Sequence, residues 1–216
     1  MRSLPQRDSP PGQGVGRVAI EGDAIAMPAT PRVRLWMIAD APLWEPLRGR
    51  RELRVDPALI GIPEYRPQYD WLRGQLRRQL PGYEGGYPWW AWALPKPDLR
   101  ETTHHNSPPG RALARLTLDL PTAEVRCFDF AAWHLPLNDG YLSLTPAQDA
   151  AWEATPEAER TRAALEASWE RLFAPDAPRD PGWIGQLERV QAVFKTLRLA
   201  DVAAVTPFRS RLPKRG

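Results

Sequence analysis

The stretch Tyr87-Pro88-Trp89-Trp90-Ala91-Trp92 packs three of the chain's ten tryptophans into four residues, and no other stretch narrows the possible folds as much. Strand alternation puts Trp90 and Trp92 on one face and Trp89 on the other, so each face carries a large ring whose N–H needs a partner. Rings of this size, clustered on one strand, are best buried in mid-sheet. Pro95 and Pro97 then hold Lys96, Asp98 and Arg100 on a stiff turn, an acid and a base side by side.

Around that strand the chain alternates short apolar and amphipathic segments. Val33 to Ile38 reads as a first strand, with Val33, Leu35 and Met37 on one face and Arg34, Trp36 and Ile38 on the other. Arg34 beside Trp36 fits either an amphipathic pair at a sheet edge, the guanidinium lying on the ring, or part of a ligand site. Ala41 to Leu53 predicts a short helix closing near Gly49. Tyr69, Leu72, Leu76 and Leu80 have helical spacing, predicting a helix over 67–80 with Arg73, Arg77 and Arg78 off its apolar stripe. Arg115 to Leu120 alternates strictly, as a half-buried strand does. Val125 to Phe130 is a further strand carrying Asp129, an acid that needs a partner if buried. Ala131 to Tyr141 reads as a turn-rich loop containing Trp133, His134 and Asn138. Thr145-Pro146 and Thr155-Pro156 each read as an N-cap followed by a first-turn proline, the second opening a helix over 156–173. Val190 to Leu197 and Ala203 to Phe208 close the chain as strands around a one-turn connector.

Period-two and capped helical segments thus intermix without regular βαβ alternation. This predicts an α+β fold, one domain over residues 32–210, with a mixed or antiparallel sheet flanked by helices. At 216 residues, 43% hydrophobic, the chain supports one substantial core, and two domains would be cramped. Residues 1–31 carry five prolines and four glycines with little apolar periodicity, which predicts a disordered N-terminal tail, and residues 211–216 a basic C-terminal one.

A formal net charge of +3 allows a nucleic-acid partner without demanding one. Cys127 is the single cysteine, so no internal disulfide forms. No apolar run approaches the roughly 20 residues of a membrane helix, and the expectation is a soluble, cytoplasmic protein that makes no membrane contact. The chain carries no phosphate loop, dinucleotide glycine fingerprint, nucleophile elbow or paired-histidine helix. His104, His105, His134, Cys127 and Asp98 lack zinc-site spacing, so no metal is expected.

The ordered series Leu35-Trp36, the Trp90/Trp92 strand with Lys96 to Arg100, Phe128-Asp129-Phe130 with Trp133-His134, Ser168 to Phe173, and Val190-Gln191-Ala192 resembles a bacterial family described as a domain of unknown function, DUF3841. The likeness runs from Val33 to Phe208 and implies no particular reaction. A weaker likeness is to the ADP-ribosyltransferase architecture, in the first strand, the Gly49 to Leu53 turn and the closing strand–connector–strand unit. That resemblance implies split sheets with NAD bound between them, a nicotinamide contact from the first strand at Arg34 or Trp36, and a late-strand glutamate. Gln191 stands where that glutamate is expected, and an amide orients a hydroxyl but takes no proton.

Two functional readings follow. In the first, a cleft lined by Arg34, Trp36, Trp90, Trp92, Asp98, Arg100, Trp133 and Asn138 binds a small nucleotide-like ligand, NAD the leading candidate. Tryptophan faces stack a ring, an arginine pairs with phosphate, and His134, Asp129 and Gln191 are the candidate catalytic groups. In the second, the chain is a non-catalytic module for RNA or single-stranded DNA. Arg73, Arg77, Arg78 and the basic tail then supply charge, and exposed tryptophans supply stacking.

Overall fold

The computed structural model describes residues 30–57, 63–99 and 108–211. Residues 1–29 and 212–216 of the two expected tails, together with Arg100, His104 and His105, lie outside them.

The chain begins with β1 (Arg32–Asp40), then a 3-10 turn at Ala41–Leu43, α1 (Trp44–Arg50) and the short β2 (Glu52–Leu53). After α2 (Arg66–Gln79) come β3 (Trp89–Leu94), β4 (Ala112–Pro121), β5 (Val125–Asp129) and α3 (Phe130–Leu137). Then follow α4 (Pro146–Glu153), α5 (Arg162–Trp169), β6 (Val190–Phe194), β7 (Leu197–Arg198) and β8 (Val202–Arg209). Six strands form one antiparallel sheet in the order β5-β6-β3-β1-β4-β8, and β2 pairs with β7 in a small second ribbon. This is the α+β architecture expected from the sequence.

Two apolar layers hold the sheet. On one face Leu35 and Met37 of β1, Leu116, Leu118 and Leu120 of β4, and Phe194 of β6 pack with Leu47 of α1 and Leu197 of β7. On the other face, over β5 and β6, Phe128 and Val193 meet Leu72 and Leu76 of α2, Trp133 of α3, and Trp169 and Leu172. Leu35, Leu47, Leu72, Leu76, Phe128 and Trp169 have no exposed surface, and each large side chain removed from water contributes about 1.5–3 kcal/mol.

Several local expectations are corrected. β1 lies between β3 and β4, away from any edge, and Arg34 turns its guanidinium toward Asp119, 3.5 Å away on β4. The edges are β5 and β8; an edge position tolerates the N–H missing at Pro207. α1 ends in left-handed Arg51 (φ 64°), whose N–H donates to Leu47 O, two residues beyond Gly49. The expected loop after Asp129 is the helix α3. Asp129 is its N-cap, accepting from Ala132 N–H, and His134 and Pro136 are accommodated in its last turn. Thr161 caps α5 by accepting from Ala164 N–H, so the helix expected from Pro156 starts six residues later, after an isolated 3-10 turn at Glu157–Glu159. Ala158, within the span of the helix expected over 156–173, lies outside α5 and is exposed. Thr145 does cap α4, accepting from Gln148 N–H.

Candidate functional site

β1 is bonded to β4 along its whole length, from Arg32 opposite Pro121 to Asp40 opposite Leu113. Against β3 it pairs at a single position, Trp36 opposite Trp92. Beyond that pair the two strands part, and a cleft of about 650 Å³ opens between Met37 to Asp40 of β1 and Trp89 and Trp90 of β3. The 3-10 turn before α1, α1 itself and β2 close one side through Leu43, Pro46 and Leu53, and Tyr69 of α2 with Tyr87 and Pro88 closes the other.

The aromatic wall is stiff because each ring is held from behind. Trp90 stands edge-on to Tyr69 (5.9 Å between centroids) and to Phe128 (5.6 Å), and 5.7 Å from buried Trp133. Trp89 Nε1–H donates to Leu53 O at 3.0 Å, tying β3 to the β2 rim. Arg73 lies over the Tyr87 ring at 4.7 Å. Burial pushes the Tyr69 phenol up to about 12, with the neighbouring phenols of Tyr65 and Tyr87 adding to it, so it stays a neutral hydrogen-bonding group.

Among the described residues four charged ones line the cleft, Asp40, Arg50, Arg54 and Asp56, all of them exposed. Arg50 lines the cleft, and its side chain has no hydrogen-bond or ion-pair partner among the described residues. Arg54 Nη1 is 3.2 Å from Glu84 Oε2. Asp40 is taken up by Arg111, 2.6 Å away. An aromatic wall with arginines at its lip suits a planar ring carrying an anionic group.

Of the residues singled out from the sequence, Trp90 lines this cleft. Trp36, Trp92 and Gln191 fall in one cross-sheet row, Trp36 opposite Trp92 and Trp92 opposite Gln191, at the closed end of the split. Beside that row Trp92 contacts Phe130 at 5.2 Å, Phe130 contacts His134 at 4.5 Å, and Arg189 lies over both Trp92 (5.2 Å) and Phe130 (4.4 Å).

The remaining candidates are committed elsewhere. Asp129 is buried and its two oxygens accept Ala132 N–H (2.8 Å) and Leu187 N–H (2.9 Å), which holds the start of α3 and the approach to β6 together. His134 is an exposed residue of α3 with Nδ1 2.8 Å from Phe130 O. Asn138 is the C-cap of α3 and donates from Nδ2 to His134 O at 2.7 Å. Trp133 is core. Asp98 is half-buried in the segment after β3, Arg34 is exposed, and Arg100 lies outside the described residues.

The cleft's cations were not picked out from the sequence. The available signal was the run of arginines at 48, 50, 51 and 54 around the end of a seven-residue helix, more charge than so short a helix needs for its solvated face. The arginines of α2 are largely engaged: Arg73 with Asp70 (2.6 Å) and Gly85 O (2.6 Å), Arg78 with Glu170 (3.4 Å). None of the ten tryptophans is exposed, although stacking single-stranded bases needs exposed rings.

Among the described residues no helix is long and apolar enough to cross a membrane, and no three His, Cys, Asp or Glu side chains gather as a metal site would need. No curated protein and no solved structure matches the chain. Residues 34–202, which run from β1 to the start of β8 and include both walls of the cleft, match the family described as Domain of unknown function (DUF3841), and the chain belongs to that family.

Proposed function

We propose that this protein binds a nucleotide, with NAD the leading candidate, in the cleft where β1 and β3 part. The observation that carries the reading is the split itself: after the Trp36–Trp92 pair the strands separate around about 650 Å³, with aromatic rings on the wall and arginines at the lip. That volume falls within the roughly 300–1,000 Å³ of small-molecule sites. A base or nicotinamide ring stacks on the Trp89, Trp90, Tyr69 and Tyr87 wall, and phosphates meet Arg50 and Arg54. NAD held between two half-sheets is also what the ADP-ribosyltransferase resemblance implies.

The reading is one of binding. Asp129 already accepts two backbone N–H groups, and Gln191 offers an amide in the row beside the split, so neither supplies a base to a ligand in the cleft. His134 lies on α3 and is not among the residues that line the cleft.

Titrating the protein with NAD while following tryptophan fluorescence tests the proposal, since Trp89 and Trp90 line the cleft. Quenching that saturates, and that weakens about tenfold in Arg50→Ala with unchanged thermal stability, is expected of a phosphate contact on an exposed side chain. Absence of any quenching at millimolar NAD overturns it.

A further inference from the structure

We infer that Arg54 and Lys195 form an anion subsite beside the cleft, which the Glu84 carboxylate occupies in the free protein and which takes a phosphate of the bound nucleotide. The inference rests on the nucleotide reading above and narrows its ligand to phosphate-bearing nucleotides over nucleosides.

The geometry is that of one oxygen shared by two cations. Glu84 Oε2 lies 3.2 Å from Arg54 Nη1 and 3.6 Å from Lys195 Nζ. The cations come from distant parts of the chain: Arg54 follows β2 on the cleft rim, and Lys195 directly follows β6. Lys195 also donates to Gly82 O, so the segment that carries Glu84 is fixed near both. Hydrogen bonding to Arg54 and the charges of Lys195 and Arg54 hold the Glu84 carboxyl below its ordinary range, so it is ionised and in place at neutral pH.

The Glu84 side chain is 73% exposed, and ion pairs this open to water bind weakly because solvent screens them. A phosphate brings more charge and several oxygens to the same two cations, and Arg54 meets it through a forked pair of donors. Glu84 therefore acts as a displaceable stand-in for the ligand's own anion. Its departure leaves Arg54 facing the cleft beside Arg50, which has no ion-pair partner among the described residues, so a dinucleotide's two phosphates meet two arginines.

The test is calorimetric titration of the full chain with NAD and, separately, with adenosine, at fixed ionic strength, comparing the wild type with Glu84→Gln and Arg54→Ala. Glu84→Gln should tighten NAD binding about two- to fivefold, the span that removal of one exposed ion pair allows. Arg54→Ala should weaken NAD binding about tenfold, and neither change should move adenosine. If the wild type binds NAD and Glu84→Gln binds it no tighter, the subsite inference is overturned while the nucleotide reading stands. An equal gain for adenosine also overturns it, because the effect is then not read by phosphate. If neither the wild type nor Glu84→Gln binds NAD, both ideas fall together.

Discussion

Trp36 and Trp92 stand directly opposite each other on β1 and β3, and theirs is the single backbone pairing between those strands among the described residues. The two halves of the sheet, β5-β6-β3 and β1-β4-β8, are therefore joined at one point and diverge from it. A fully bonded sheet would leave no room between Ala39 and Trp89. The split creates the cleft, and the side chains decide what it holds.

That hinge depends on Trp92. The ring is half-buried, tilted against Phe130 and covered by Arg189, so truncation removes ring contacts on both sides. Trp92→Ala should cost about 2–3 kcal/mol in urea unfolding, less than a fully buried aromatic because part of the ring is already wet. It should also weaken NAD binding through loosening of the split. A loss below about 0.5 kcal/mol would mean that the junction between the half-sheets is held by other contacts.

Asp129 separates a capping role from a catalytic one. Its carboxylate accepts Ala132 N–H and Leu187 N–H, and removing it leaves two donors of a buried region unpaired. Asp129→Ala should cost about 1–3 kcal/mol of stability, with Asp129→Asn retaining part of that through its remaining carbonyl oxygen. NAD affinity of the folded variants should match the wild type. A variant of normal stability but altered ligand binding would place Asp129 at the ligand instead.

The elements most legible in the sequence are those in which one periodicity runs unopposed. Arg115 to Leu120 alternates without a break and is the heart of β4; Leu72 and Leu76 have helical spacing and are the buried stripe of α2. Where two signals compete, the sequence is a poor guide. Thr155-Pro156 and Thr161 both have capping chemistry, and Arg160, donating to Thr155 O at 2.9 Å, fixes the first as a turn, leaving Thr161 to start α5. α3 was hidden because the Asn138-Asp139-Gly140 turn that ends it makes the whole stretch read as a loop, while the cap that decides the matter, Asp129, reads equally well as a strand residue. Alternation also says which face a residue takes but not which strand lies beside it. For that reason Trp36, Trp92 and Gln191 could be named separately while their shared row could not be foreseen. The cleft was less legible still, because it arises from strands that fail to pair, and failure to pair has no local signature.

Buried Tyr83 and half-buried Tyr69 together give the fold an alkaline limit. Burial, opposed in part by Arg73 and Arg77, pushes Tyr83 up to about 12, and burial reinforced by Tyr65 and Tyr87 does the same for Tyr69. Tyr83 donates its O–H to Gly86 O, a bond available only to the neutral phenol. An unfolded phenol ionises near the model value of 10.0, so between pH 10.0 and about 12 the unfolded chain sheds these protons while the folded chain keeps them. Stability from the two groups is thus complete below pH 10.0 and is lost as pH rises toward about 12. After allowance for solvent screening, the loss is on the order of 1–2 kcal/mol per phenol. Urea unfolding followed across that range should show a falling midpoint, with a shallower fall in Tyr69→Phe and in Tyr83→Phe than in the wild type. Tyrosinate absorbance of the folded protein should lose its latest-titrating component in each variant. Identical slopes for all three proteins would show that neither phenol is shielded as the fold requires, and would count against a rigid Tyr69 wall to the cleft.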